Sequence, residues 1–252
     1  MKNNGLPLFY SAPQVLRFED HKDLVLERKQ DFSFAAKANA VPLSPAEFVP
    51  ASRHYPIVFV KGDPLPTAVA VTGLKEGQNL FVDSAGAWQA GVYIPAYVRR
   101  YPFILIQSED KSQTVLGFDE GCDRIKPADE AENGSALFAE DGKAGEATAP
   151  MMEFCNSFHQ ASLRGNDFAK ALKEQDLLVD KQVNMSFANK SHYRLDGLLV
   201  VDEDRFRNLP QDVLIDWHKN GFNDAVVLHL ASTQNWQVLL DLNEKASPAK
   251  AA

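Results

Sequence analysis

The sequence predicts an α+β fold: a β-rich N-terminal half with two similar hairpins, followed by a helix–hairpin–helix C-terminal half. Three observations carry this reading. Short apolar runs bounded by turn residues fill 31–125. Arg-x-Tyr-Pro followed by four apolar residues is written twice, as RHYPIVFV (53–60) and RRYPFILI (99–106). After Pro150 the apolar spacing becomes that of helices.

Residues 1–30 read as an N-terminal arm with a short strand or helix. In the β-rich region, PIVFV (56–60), the turn cluster GDPLP and TAVAVTG (67–73) make a first hairpin. NLFVDSAGAW (79–88) then reads as strand, turn, strand. In GAWQAGVYIPAYVRRYPF (86–103), Pro95 can start a short helix and Pro102 must end it. FILIQ (103–107), the polar turn SEDKS (108–112) and QTVLGF (113–118) make a second hairpin. Pro56 and Pro102 fall at strand starts, where a missing N–H costs little. Two readings of the repetition stand side by side: internal duplication of a hairpin unit, or one local solution used twice. On either reading a loop leads into the first copy, and the short helix belongs to the second alone.

Residues 126–150 are poor in large apolar side chains and read as a linker or surface excursion anchored by Ala-Leu-Phe. Met151, Phe154, Cys155, Phe158 and Ser162 recur at helical spacing. Arg-Gly-Asn (164–166) breaks that helix, and Asn166 caps a second one carrying Phe168, Ala171 and Leu172. QVNMSF (182–187), a turn at ANKS (188–191) and YRLDGLLVV (193–201) form a hairpin. Asp202 caps a short turn, and Pro210 opens a helix that ends at Gly221. A last helix runs from Phe222 to about Leu242. The partition is an arm (1–30), a β-rich region (31–125), a linker (126–150), an α+β region (151–243) and a flexible tail (244–252), all within reach of one compact domain.

Composition narrows the functional classes. A net charge of −8 argues against a nonspecific phosphate-binding surface, so no nucleic-acid partner is expected. Two cysteines give no disulfide framework and fit a reducing compartment. The N-terminus has no apolar leader, and no window approaches the ~18 apolar residues of a membrane span. A cytoplasmic protein without membrane insertion is the expectation. No feature fixes an oligomeric state.

Motifs for chemistry are sparse. Histidines 21, 54, 159, 192, 218 and 229 are scattered, without H-x-x-x-H or C-x-x-C pairing. His21 and Asp23 match the H-x-D half of a two-histidine, one-carboxylate iron site, against which stands a solvated turn. There is no G-x-S-x-G elbow, P-loop or G-x-G-x-x-G, and no cofactor is expected. Cys155 falls on an apolar helix face and reads as a buried inert thiol. Cys122 is flanked by Glu120 and Asp123, which oppose its ionisation. Asp202, Glu203 and Asp204 read as helix-cap chemistry before cation binding, and His229 as a core histidine. The most distinctive segment places Tyr93, Tyr97 and Tyr101 four residues apart beside Arg99 and Arg100. Such a set forms either a recognition surface for a peptide or carboxylate, or an amphipathic seam between two hairpins.

FSFAAKANAVPLSPAEF (32–48), HYPIVFV (54–60), NLFVDSAGAWQAGVYIPAYVRRYPF (79–103), RLDGLLVVDEDRFRNLP (194–210) and VVLHLASTQNWQVLLDL (226–242) together resemble the bacterial SapC family, over about residues 7–242. The resemblance implies a link to export or assembly of a surface layer, and relatives encoded beside modification and uptake proteins. It implies no catalytic residues, and it is distinct from the transporter permease of similar name. The expectation is a non-enzymatic accessory protein binding a protein or peptide partner through Tyr93, Tyr97, Arg99, Arg100 and Tyr101. The alternative is an enzyme with a non-motif site, such as a metal-dependent oxygenase using His21 and Asp23.

Overall fold

The structure, a computed structural model, describes residues 5–107, 113–186 and 192–246. In chain order the elements are β1 (Pro13–Val15), α1 (Phe18–His21), β2 (Leu24–Glu27), β3 (Ala40–Pro42), α2 (Phe48–Ala51), β4 (Ile57–Val60) and β5 (Thr67–Val71). There follow α3 (Ala96–Arg99), β6 (Phe103–Gln107), β7 (Thr114–Asp119), β8 (Ile125–Pro127), β9 (Gly134–Ala136) and the long α4 (Ala149–Glu174). The chain ends with β10 (Leu178–Ser186), β11 (His192–Val201), α5 (Glu203–Arg207), α6 (Gln211–Asn220), α7 (Phe222–Ser232) and α8 (Trp236–Ala246). This is the α+β composition the sequence predicts.

By its internal contacts the chain forms two compact units, each made of two separated stretches. The first comprises Met1–Phe34 and Tyr97–Gln160, the second Ala35–Ala96 and Ala161–Ala252. This division cuts across the sequential partition, because the two Tyr-Pro hairpins join different sheets. In the first unit β7 lies between β1 and β6, and a small second sheet has the order β8-β2-β9. In the second unit the order is β10-β11-β4-β5-β3.

Each hairpin is thus part of a three-stranded antiparallel unit, β1-β7-β6 or β3-β5-β4, and the two share one register. Phe103 faces Phe118 and Ile106 faces Val115, as Ile57 faces Ala70 and Val60 faces Thr67. Pro13 faces Asp119 as Ala40 faces Val71. The framing bonds match as well. Asp119 N–H donates to the Pro102 carbonyl at 3.0 Å, and Val71 N–H to that of Pro56 at 2.9 Å. Leu16 N–H donates to Leu116 at 3.0 Å, and Leu43 N–H to Ala68 at 2.9 Å.

The likeness extends downstream to a tight turn. Gly145 N–H donates to Leu137 and Gly142 N–H to Ala139, as Gln89 donates to Phe81 and Gly86 to Asp83. Gly142 and Gly86 have φ of +79° and +78°, values for which only glycine is unstrained. The antiparallel bridges Phe138–Ala144 and Val82–Trp88 close the two turns. One backbone plan therefore occurs twice. The matched bonds carry the likeness well beyond the Tyr-Pro motif and its strands. A short helix leads into both copies, α2 as well as α3, so the expected loop before Arg53 is corrected. Proline at 45 behind Ser44, with Glu47 closing a capping box, starts the helical turn (Pro45–Glu47) that runs into α2.

Four consecutive apolar residues suit these strands because both faces are covered. In the first unit Phe103 and Leu105 pack with Leu116, Phe118, Leu137 and Cys155, while Ile104 and Ile106 turn to Tyr10, Tyr101 and Cys122. In the second unit Phe59 faces Phe168, with ring centres 6.1 Å apart.

Other expectations are revised. Residues 126–150 carry β9, the second tight turn and the fully buried Leu137, so they are built structure anchored by Ala-Leu-Phe. Arg-Gly-Asn does not break α4, which is continuous through Gly165. A Cβ there would stand 3.3 Å from the Pro45 ring, so glycine serves close packing and its helix cost of about 1 kcal/mol is absorbed. The last helix divides at a 3-10 turn, Thr233–Asn235. There Asn235 Nδ2 donates to the carbonyls of Ser52 (2.6 Å) and Tyr55 (3.0 Å). The arm contains β1, α1 and β2, and residues 244–246 of the predicted tail belong to α8. The turns at 108–112 and 188–191, and tail residues 247–252, lie outside the described residues.

Candidate functional site

The Tyr/Arg segment is positioned by buried polar groups. α3 is only four residues long, so Tyr93 precedes it and Tyr101 follows it, and the three tyrosines do not form one helical stripe. In the second unit, Tyr93 OH donates to Glu47 Oε1 at 3.0 Å, and the Tyr93 carbonyl accepts from Tyr55 OH. Glu47 Oε1 also accepts from the Ala96 N–H at 2.7 Å, while Oε2 caps Ser44. This buried carboxylate is held by hydrogen bonds that fix the start of α3.

In the first unit Tyr97 and Tyr101 are both buried. Tyr97 OH reaches the Leu8 carbonyl at 3.4 Å. Tyr101 stacks on Phe34 with ring centres 4.1 Å apart and donates to Asp119 Oδ2 at 3.0 Å. Asp119, itself buried, also accepts from the N–H groups of Ser11 (2.9 Å) and Ala12 (2.6 Å). Burial, reinforced by Cys122 and Asp119, raises the Tyr101 pKa well above the usual phenol value. Tyr10 is raised too, by burial, against the opposing charge of Arg100. Both phenols stay neutral donors, and burial makes Tyr97 and Tyr101 a packed base.

What the base carries is cationic. Arg99 is exposed, with its guanidinium over the Phe154 ring at 5.0 Å. Arg100 is half-buried in an aromatic cage, its guanidinium carbon 4.1 Å from the centre of Tyr97, 4.7 Å from Phe158 and 5.6 Å from Tyr10. Its Nε is buried without a hydrogen-bond partner, and no carboxylate pairs with it among the described residues. Cation–π contact stabilises the charge by ~1–2 kcal/mol when partly desolvated, yet satisfies no in-plane donor such as Nε.

A scan of protein families matches SapC over residues 16–239. The chain belongs to the SapC family. No curated protein and no solved structure matches it. In this SapC-family chain no described helix is long and apolar enough to cross a membrane.

The remaining candidates resolve on geometry. His21 is buried edge-on against Phe118, and its Nδ1 accepts the Arg17 N–H at 2.9 Å, much as Glu47 caps Ser44 in the other unit. Asp23 is exposed. The two do not converge, and among the described residues no three His, Cys, Asp or Glu side chains could hold a metal ion together. Asp202 accepts from the Arg205 N–H as a helix cap, and Glu203 pairs with Arg207. Burial lifts Cys155 to about 11, so it is an inert thiol. His229 has both ring nitrogens engaged: Nδ1 with the Ile57 carbonyl (2.9 Å) and Nε2 with the Val201 N–H (3.0 Å). It bridges β4 and β11 next to their short pairing at Leu198–Val60 and Leu199–Phe59.

Sequence reasoning missed Tyr10, Glu47, Asp119 and Phe158. Acids placed among apolar residues, as in LGFDEG (116–121), are the signal that marks Asp119.

Proposed function

We propose that this SapC-family chain is a non-enzymatic cytoplasmic accessory protein that holds a carboxylate-bearing group of a protein or peptide partner through Arg99 and Arg100. The observation supporting this is the Arg100 guanidinium: caged by three rings, without a carboxylate partner among the described residues, on a chain of net charge −8. An arginine taken out of water is ordinarily paired. One held by aromatic faces keeps its full charge to attract an incoming oxyanion. The family link to surface-layer export or peptide modification is consistent with such a partner.

The test is a crosslinking pull-down from native cells read by mass spectrometry, with wild type and the Arg99→Ala/Arg100→Ala double variant. Partner capture should fall at least tenfold, while circular dichroism and melting show a folded variant. Capture that is unchanged, or no protein whose recovery depends on the two arginines, would overturn the reading.

A further inference from the structure

The first unit has a cleft of about 360 Å³ whose walls include Leu16, Leu105, Leu116, Phe138 and Met152. Among the described residues no ionised side chain lines it; its polar rim includes Asn156. The duplicated plan shows what this cleft lacks. Ala144, at its mouth, occupies the bridge position that Trp88 occupies in the second unit, as the matched turn bonds establish. Trp88 is buried there, and its indole N–H donates to Tyr55 OH at 3.2 Å. Ala144 is exposed. The bridge partners differ in the opposite sense, Phe138 for Val82, but Phe138 turns its ring onto Phe18, 5.4 Å away and nearly perpendicular. The larger residue on that side leaves the cleft open.

We propose that this cleft binds a small, uncharged, planar aromatic molecule of indole size, in the place of the side chain that closes the sister turn. Its volume lies in the range of ligand sites and well above the ~150 Å³ that holds a benzene in an apolar cavity. Leucine walls supply burial, and the Met152 thioether supplies a polarisable contact to a ring. Asn156, which makes no side-chain hydrogen bond among the described residues, offers a carbonyl acceptor for a ring N–H, the part Tyr55 plays for Trp88. The site is independent of the arginine pair: Met152 and Asn156 share one face of α4, while Phe154 and Phe158 lie two residues on, roughly opposite.

The test uses full-length protein and 5-fluoroindole, followed by fluorine NMR. Wild type should bind one equivalent saturably, and the Met152 methyl resonance should move upfield from the ring current. Ala144→Trp, which supplies the ring from within, should melt no lower than wild type and bind at least tenfold more weakly. Should that variant fail to fold, Met152→Glu, at a half-exposed position, should cost the same tenfold by placing a charge in the cleft. No saturable binding, no Met152 shift, hexan-1-ol binding as tightly as 5-fluoroindole, or a folded variant binding like wild type would each overturn the proposal.

Discussion

The two copies of the Tyr-Pro hairpin share a backbone and differ in what completes it. In the second unit the Ile57 carbonyl bonds His229 and the Ile57 N–H bonds Ser232 Oγ, so helix α7 is stapled to the strand. In the first unit the equivalent Phe103 carbonyl accepts from Tyr10 OH at 2.6 Å. Val71 of one copy is Asp119 in the other, His54 is Arg100, and Trp88 is Ala144. The hydrogen-bonded frame is what the two copies share, because altering it would orphan buried backbone groups. Side chains around the frame differ. In the second unit they close the structure with further strands and helices. In the first they leave a caged cation and an open cleft.

The largest effect on this comparison should come from Asp119→Val, which installs the residue of the sister copy. Ser11 N–H, Ala12 N–H and Tyr101 OH would lose their acceptor, at a cost of about 3–5 kcal/mol. Urea unfolding measures it, and a loss below about 1 kcal/mol would mean the frame of the first unit does not depend on this carboxylate.

Next comes pH. Burial, partly offset by the Ile57 carbonyl, lowers the His229 pKa from 6.5 to about 4. The folded chain keeps a neutral imidazole while the unfolded chain takes up a proton from 6.5 downward. Stability should therefore fall with pH between 6.5 and 4, by about 3 kcal/mol in total, and this contribution should level off below 4. Chemical denaturation across that window should show a slope that His229→Gln lacks. Equal slopes would remove the staple from the account of the second unit.

The smallest effect is the sharpest test of equivalence. Gly86→Ala and Gly142→Ala each force a positive φ on alanine, and each should cost about 1 kcal/mol. Thermal melts that differ by much more than that between the two variants would break the match of the turns.

Much of this architecture was legible. Proline after tyrosine marked both strand starts, and uninterrupted apolar runs marked strands covered on both faces. Helix caps at Asp202 and Gly221 stood where local chemistry put them. What escaped was non-local. β1 pairs with β7 across 100 residues of chain, and nothing in Pro13–Val15 announces that partner. Gly165 looked like a breaker because its reason, the Pro45 ring, is distant in sequence. The sequence places tyrosines and arginines side by side but does not show that Tyr97 and Tyr101 are buried. Phe158 and Tyr10, which complete the cage around Arg100, come from segments far from RRYP and carry no motif.

We propose that Arg100, unlike the residue at its place in the sister copy, serves a partner. The direct measurement is native-cell crosslinking and capture with Arg100→Gln beside His54→Gln, both checked for cooperative melting. The expected result is at least tenfold loss of partner capture for Arg100→Gln and wild-type capture for His54→Gln. Equal capture by the two variants would contradict it.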